Sequence, residues 1–411
     1  MWTGGESHDN IWLFNQKDRS YLEEDDMKHW FKQAALLIAA VIFGAASNSA
    51  HADETIKIGV TEPLTGAVAA SGNYVVQGAK IAESFLNAKG GILGHKVELI
   101  IEDNKSNPKE AVASVEKLIV RDKVPVLMGA WSSTYTLAVM PKLIEYGVPM
   151  VVETSSSGKI TTSGNPWIFR ISPTSEMEAK SFGTKVAGFN IKKADFLVVN
   201  NDWGRGAASK FGAMLKSKGI AVGVIETMDA KAQDLSAQLA KIKASGGDTL
   251  FLTTGVEQIT LVLKQAKEQR VTHRIITTGG SSSPDQLIAQ AGAAADGTYH
   301  LLFFAPWFPE AAPNPAVAKK FVDEWNKRGY NFPGLTEGFR GHDGIMTIAA
   351  AIEAAGKAEP DAIRKALWGV KVDGVNGDIA FIKQGPAGKE SGQNIPNVYI
   401  VTIQNGKVAL P

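Results

Sequence analysis

The chain has 411 residues, 43 Lys and Arg against 42 Asp and Glu, seven His and no Cys. Without cysteine there are no disulfides, thiolate metal sites or cysteine nucleophiles, and no lipid-modified cysteine of the kind that tethers many exported proteins. The basic residues form no cluster interleaved with aromatics, which argues against a nucleic-acid partner.

Residues 27–52 read as an export signal. Lys28 and Lys32 form a short basic region, residues 34–43 an apolar core, and Ala50-His51-Ala52 a small-x-small cleavage site before Asp53. The apolar core is too short to span a bilayer, which takes about 20 apolar residues. Residues 1–26 do not belong to such a signal, since they are polar and end in Glu23-Glu24-Asp25-Asp26. Met27 is therefore the expected start, and residues 1–26 a mis-assigned or non-native extension. Cleavage after Ala52 would release a protein that works in the periplasm.

Residues 53–411 are too many for one core, so two domains are expected. Apolar runs of strand length alternate with amphipathic helical segments, the pattern of a mostly parallel sheet covered on both faces. The first strand is residues 56–60, followed by a helix over about 72–89 that ends at Gly90-Gly91. A second strand, 97–101, leads to a helix marked by Asn107 as cap, Pro108 in the first turn and Glu110 three residues after the cap. Strands 124–128 and 148–152 flank a helix opening at Ser132-Ser133-Thr134.

After Pro173 the series starts afresh. Strands at 196–200, 222–226, 249–252, 275–277 and 299–304 alternate with helices near 175–189, 205–218, 234–244, 257–269 and 284–291. Helices near 314–328, 342–355 and 360–368 and short strands around 379–382 and 398–403 are too few for a third core. They are expected to return to the first two domains. The fold class expected is α/β, two doubly wound parallel-sheet lobes joined by a multi-strand hinge. Lobe I would take 53–173 and about 306–383, and lobe II 174–305 and about 384–411. Ligands of open α/β sheets bind at the carboxyl ends of strands.

Two hydroxyl-rich segments lie at such ends. Ser132-Ser133-Thr134 opens a helix, where free N–H groups and a partial positive charge suit a carboxylate; the same residues would also serve as a plain helix cap. Thr154-Ser155-Ser156-Ser157 follows the next strand in the same way. Tyr74 and Trp131, near the first and third strand ends, would either wall an apolar pocket or pack within their own domain.

The order and spacing of several segments carry a resemblance. They are Ile56-Lys57-Ile58-Gly59-Val60 leading to Leu64-Thr65-Gly66, Asn87-Ala88-Lys89-Gly90-Gly91-Ile92-Leu93-Gly94, and Gly147-Val148-Pro149-Met150 before a Ser/Thr-rich loop. Phe169-Arg170 and Asp202-Trp203-Gly204-Arg205-Gly206 add to it. Over residues 53–411 the chain resembles the type I periplasmic solute-binding proteins of ABC transporters for branched-chain and other hydrophobic amino acids. The resemblance implies that Ser133, Thr154 and Ser156 bind the α-carboxylate and α-amino group of a ligand, and that Trp203 closes over it from lobe II. It further implies a small-molecule ligand, an inner-membrane ABC permease as partner, and a monomer. The same fold also serves periplasmic sensors that present their closed form to a signalling receptor.

One departure bears on the ligand. Where the family has a glutamate that pairs with the ligand ammonium, this chain has Gly279, and an aromatic position is matched by Gly255 or Val256. An unpaired ammonium in a closed cleft would cost several kcal/mol. Either another carboxylate replaces the glutamate, with Glu62, Glu153 and Glu257 as candidates, or the ligand is not an α-amino acid.

Enzymatic readings are weaker. Gly204-x-Gly206-x-x-Ser209 with Glu226 some twenty residues on imitates a dinucleotide fingerprint but lacks the third glycine. There is no nucleophile elbow, phosphate-binding loop or His-Glu-x-x-His. The scattered histidines form no metal site, so neither enzyme activity nor a cofactor is expected.

Overall fold

A computed structural model describes residues 55–411. The extension, the export signal and the cleavage site after Ala52 lie outside the described residues. Two seven-stranded sheets form the frame. In the first, β1 (Ile56–Glu62), β2 (Val97–Asp103), β3 (Leu127–Gly129), β4 (Met150–Val152) and β5 (Ile168–Arg170) are parallel, in the order β5-β4-β3-β1-β2. The second repeats the order with β6 (Lys193–Val199), β7 (Ala221–Met228), β8 (Thr249–Thr253), β9 (Arg274–Thr277) and β10 (Tyr299–Leu302), as β10-β9-β8-β6-β7. In each sheet the winding reverses beside the first strand of the series, between β1 and β3 and between β6 and β8, the switch points at which such sheets leave a crevice.

Helices cover both faces. In lobe I, α1 (Ala69–Ala88) packs on one face and α2 (Pro108–Glu116) and α3 (Ser133–Tyr146) on the other. In lobe II, α4 (Ser175–Lys185) and α5 (Asp202–Ser217) share a Phe-rich core opposite α6 (Ser236–Ala244), α7 (Val256–Glu268) and α8 (Pro284–Ala291). Asn107 caps α2 as expected, its side chain accepting from the Lys109 and Glu110 N–H groups. Gly204 is small for a packing reason: a Cβ there would lie 2.0 Å from the Val199 carbonyl oxygen, so the start of α5 is pressed onto β6. That accounts for the glycine that imitated a dinucleotide fingerprint.

The tail holds two differences from expectation. After α9 (Pro315–Lys327), helix α10 spans Leu335–Ala355, starting two turns before the expected residue 342. Its first half carries Gly338 and Gly341, which break an apolar pattern, because here the backbone itself is the contact. A Cβ on Gly78 of α1 would meet the Gly338 carbonyl oxygen at 1.7 Å, and one on Gly341 the Val75 carbonyl oxygen at 1.9 Å. Helix α11 (Pro360–Leu367) and the ribbon β11 (Val372–Gly374) and β12 (Gly377–Ile379) follow.

The second difference is the last crossing. The hairpin β13 (Ile382–Gln384) and β14 (Ser391–Gln393) stays in the first sheet, with β14 parallel to β5. Only β15 (Tyr399–Gln404) and β16 (Lys407–Ala409) join the second, antiparallel to β10 and to each other. The change of lobe expected near 384 therefore falls after Gln393. The buried Gln393 side chain fixes it there, accepting from Arg170 Nε at 2.7 Å and donating to the Ser172 carbonyl at 2.9 Å.

The chain thus passes between sheets after β5, after β10 and after β14. The three crossings lie side by side. Asn394 donates from its backbone to the Arg170 carbonyl at 2.8 Å and from its side chain to that of Ile171 at 3.3 Å. Ile171, Ser172, Phe303, Asn394 and Pro396 line a common narrow space that Glu153 and Arg340 also face.

Candidate functional site

The carboxyl ends of β1, β3 and β4 face those of β6, β8 and β9 across the cleft, and the lobes are closed on each other. The Trp131 and Trp203 rings meet edge to face with centroids 6.4 Å apart. Ser175 N–H donates to the Ser156 carbonyl at 3.0 Å, and Arg340 Nη2 to the Gly280 carbonyl at 2.7 Å.

A narrow cavity remains between them. Trp131, Ser132, Ser133, Thr154, Ser155 and Ser156 line it from lobe I, and Trp203, Gly279 and Ser281 from lobe II. Seven of the ten residues singled out in the sequence therefore share one cavity. Three do not line it. Tyr74 packs within its own lobe against Trp325, its hydroxyl accepting from Asn331. Thr134 is not part of the lining, and Gly255 caps α7 further along, near Val68 of the facing lobe.

The lobe I wall is built by the two hydroxyl-rich turns. Ser132 is the N-cap of α3, but its side chain makes no capping bond, so the helix start keeps donors for a ligand. Ser133 accepts from the Ser157 N–H at 3.0 Å, which ties the two turns together and leaves its hydroxyl proton available. Ser155 is spent internally, on Thr136 at 2.7 Å and the Trp131 carbonyl at 2.9 Å. Thr154 Oγ1 is buried and has no partner of good geometry. Trp131 has φ +62°, an uncommon conformation for a side-chain-bearing residue, and it swings the indole into the cleft.

Arg170 holds the second turn in place. Fully buried, it donates from Nη1 to the Ser155 and Ser157 carbonyls at 3.1 and 2.6 Å and from Nη2 to Thr161 Oγ1 at 2.8 Å. The sequence pointed to this residue only through a family likeness.

Behind the cavity lining lies a group of buried acids beside Arg340. Glu62, at the end of β1, and Glu153, after β4, are neighbours, both buried. Burial, and then the Glu153 carboxyl, raise the Glu62 pKa well above the usual range; burial also raises that of Glu153. Glu153 Oε1 accepts from the Trp131 N–H at 3.1 Å. Glu337 on α10, pushed up to about 7 by burial, lies beside the Trp131 indole and 3.4 Å from Arg340 Nε. Glu178 on α4, pushed up to about 8 by burial, accepts from the Gly279 N–H at 2.6 Å. Glu257, partly buried at the start of α7, is raised by the same cause.

Of these, Glu178, Glu337 and Arg340 escaped the sequence reading. Glu337 and Arg340 fall in the glycine-broken start of α10, and Glu178 looks like the ordinary acidic first turn of a helix. The one available signal was their i, i+3 spacing in Glu337-x-x-Arg340.

Two doubly wound lobes, three crossings and a narrow cavity at the facing strand ends define a two-lobed solute-binding protein. A family model described as "Periplasmic binding protein" matches residues 55–407, and the chain belongs to that family, as a type I member of its branched-chain amino-acid group. It is similar to the leucine-, isoleucine-, valine-, threonine- and alanine-binding protein of Pseudomonas aeruginosa, 27% identical over 360 residues, 87% of this chain and 94% of that one. Among solved structures it resembles a leucine-binding protein, LivK, of Thermotoga maritima, with TM-score 0.76 and 27% identity over 87% of this chain and 97% of that one. A solute-binding protein of an ABC transporter from Rhodopseudomonas palustris, in complex with 3,4-dihydroxybenzoic acid, has TM-score 0.74 and 25% identity over 86% and 95%. The chain is a solute-binding protein and not an enzyme.

Proposed function

We propose that the protein is exported to the periplasm, captures a small solute between its lobes, and delivers it to the permease of an ABC importer. The observation that carries this reading is the closed cavity in which Ser133, Thr154 and Ser156 of one lobe face Trp203 and Gly279 of the other. A carboxylate or amide end of the solute would lie against the uncapped start of α3 and the Ser133 and Thr154 hydroxyls, since a helix start offers N–H donors and positive potential. Trp131 and Trp203 would close over the rest. Only a ligand touching both lobes favours the closed form, and a permease that reads the relation of the two lobe surfaces would respond to the loaded state.

Residues 27–52, as an export signal, and the ABC-transporter solute-binding proteins among the relatives support the location and the partner. Calorimetry with leucine, 3,4-dihydroxybenzoate and L-arginine tests the reading. For whichever binds, Ser133→Ala should weaken binding by about 1.5 to 3 kcal/mol, the range for a hydrogen bond to a charged group. The variant also loses the bond to Ser157, so its unfolding free energy should fall by about 1 kcal/mol. A loss of affinity no larger than the loss of stability would return Ser133 to a structural role.

A further inference from the structure

Where the turn after β9 meets α10, one cation joins the two lobes. Arg340, buried on α10 of lobe I, donates from Nη2 to the Gly280 carbonyl of lobe II at 2.7 Å. Its guanidinium carbon lies 5.1 Å from the ring centre of Phe303, just past β10. Gly280 has φ +65°, and a Cβ there would lie 2.9 Å from Arg340 Nη2 and 2.6 Å from the Phe303 ring, so the missing side chain is what lets the guanidinium come this close. The preceding residue is held from within lobe II, the Gly279 N–H donating to Glu178 of α4.

Four buried carboxyls lie about that contact. Glu337 stands one turn before Arg340, Glu62 and Glu153 adjoin at the ends of β1 and β4, and Glu178 approaches from α4 of lobe II. Of the other titratable groups, Glu257 of α7 faces Glu337 from lobe II, while Asp343 of α10 is bound by His342 Nδ1 and by the Val375 N–H, each at 2.9 Å. With Arg340 and all four carboxyls ionised, the group would hold four negative charges against one positive. A buried charge without a partner is costly, and a carboxyl so placed takes up a proton instead. Burial does raise all four, Glu337 to about 7 and Glu178 to about 8. Glu337 and Glu178 each abut the opposite lobe, through Glu257 and Arg340 respectively, so parting the lobes would return both to water as ordinary carboxylates.

Resting on the cleft assignment above, we propose that Arg340 is the latch by which lobe I holds lobe II shut over the solute, and that engaging it brings protons onto the surrounding carboxyls. Arg340 is not part of the cavity lining, so it acts as a positioning residue. Capture is then tied to pH with a definite sign. The closed protein binds more protons than the open one. Closure is therefore favoured at low pH, and that advantage is lost as pH rises through the closed-state values of Glu337 and Glu178.

The test is calorimetry on residues 53–411 with leucine, 3,4-dihydroxybenzoate and L-arginine at pH 6, 7 and 8. Whichever binds should lose about tenfold or more in affinity from pH 6 to pH 8, with a limit of about tenfold per pH unit for each proton taken up. The apparent enthalpy should differ between phosphate and Tris, in the direction of proton uptake. Glu178→Gln and Glu337→Gln, which cannot titrate, should lose less affinity over that range than the unaltered protein. Arg340→Gln should weaken binding about tenfold and steepen the dependence on pH, because the carboxyls then have no positive neighbour. A purely structural role for these residues would lower the melting temperature and leave the pH profile as it was. If a variant fails to fold, the pH profile and buffer dependence of the unaltered protein decide. Affinity that stays level or rises from pH 6 to pH 8, still sensitive to Ser133→Ala, would overturn the inference and leave the cleft assignment standing. Should none of the three bind, the cleft assignment falls for these solutes, and small-angle X-ray scattering of the empty protein decides the latch. A smaller radius of gyration at pH 6 than at pH 8 supports it, and equal values overturn it.

Discussion

Gly279 shows how much one position can hold. Its φ is +86°, and a Cβ on it would lie 2.4 Å from Trp203 Cζ2. Both the backbone conformation and the indole packed against it exclude a side chain. Gly279→Ala should therefore force Trp203 from its place and strain the turn, at about 1 to 3 kcal/mol. Because Trp203 meets Trp131 only across the closed cleft, the loss should fall more on solute affinity, measured by calorimetry, than on the melting temperature of the empty protein. Equal losses would mean that the turn matters to lobe II alone. The hydroxyls of Ser133 and Thr154 were legible in the sequence because they sit next to strand ends that the apolar runs mark. Glu178 was not, since it meets Gly279 across 101 residues, and no local pattern records such a contact.

Among the elements, the turn after β4 depends on a residue of its neighbour strand. Arg170 spends its donors on Ser155, Ser157, Thr161 and Gln393, so it links the ligand-facing turn to β14 and the last crossing. Arg170→Ala would take a donor from each of four buried acceptors and should cost about 3 kcal/mol or more in urea unfolding, with weaker solute binding. A loss below about 1 kcal/mol would show that water or a neighbour replaces the guanidinium. Strand periodicity and turn residues made the alternation of strands and helices readable, including the repeat that starts after Pro173. The start of α10 was hidden because its inner face is made of glycines, chosen for close approach to α1 and carrying no hydrophobic signal. Strand β5 was hidden by its length, three residues from Ile168 to Arg170.

At the scale of the molecule, the buried acids tie folding to pH. Glu337 and Glu178, held near 7 and 8 by burial, keep protons in the folded protein that they would give up in the unfolded chain. A group whose pKa is raised on folding stabilises fully below its unfolded pKa, and that contribution is lost as pH climbs through the folded value. The buried His300, lowered to about 3 by desolvation, works the other way, removing stability as pH falls below about 6.5. Between pH 6.5 and 8.5 only the acids of this set still act. The melting temperature of the empty protein should fall across that window, and Glu178→Gln should lessen the fall. A flat or rising profile in calorimetric scans would mean that these carboxyls are ionised and paired in the folded state.

The three crossings carry a further consequence, for the order in which the molecule can assemble. Lobe I lacks α10 and β14, and lobe II lacks β15 and β16, until the final portion of the chain is present. A polypeptide emerging from the ribosome amino end first holds two unfinished sheets for almost its whole synthesis, and the long loops that close them form late and slowly. Such a chain has neither lobe finished until its last strands arrive, the state that the proposed export calls for.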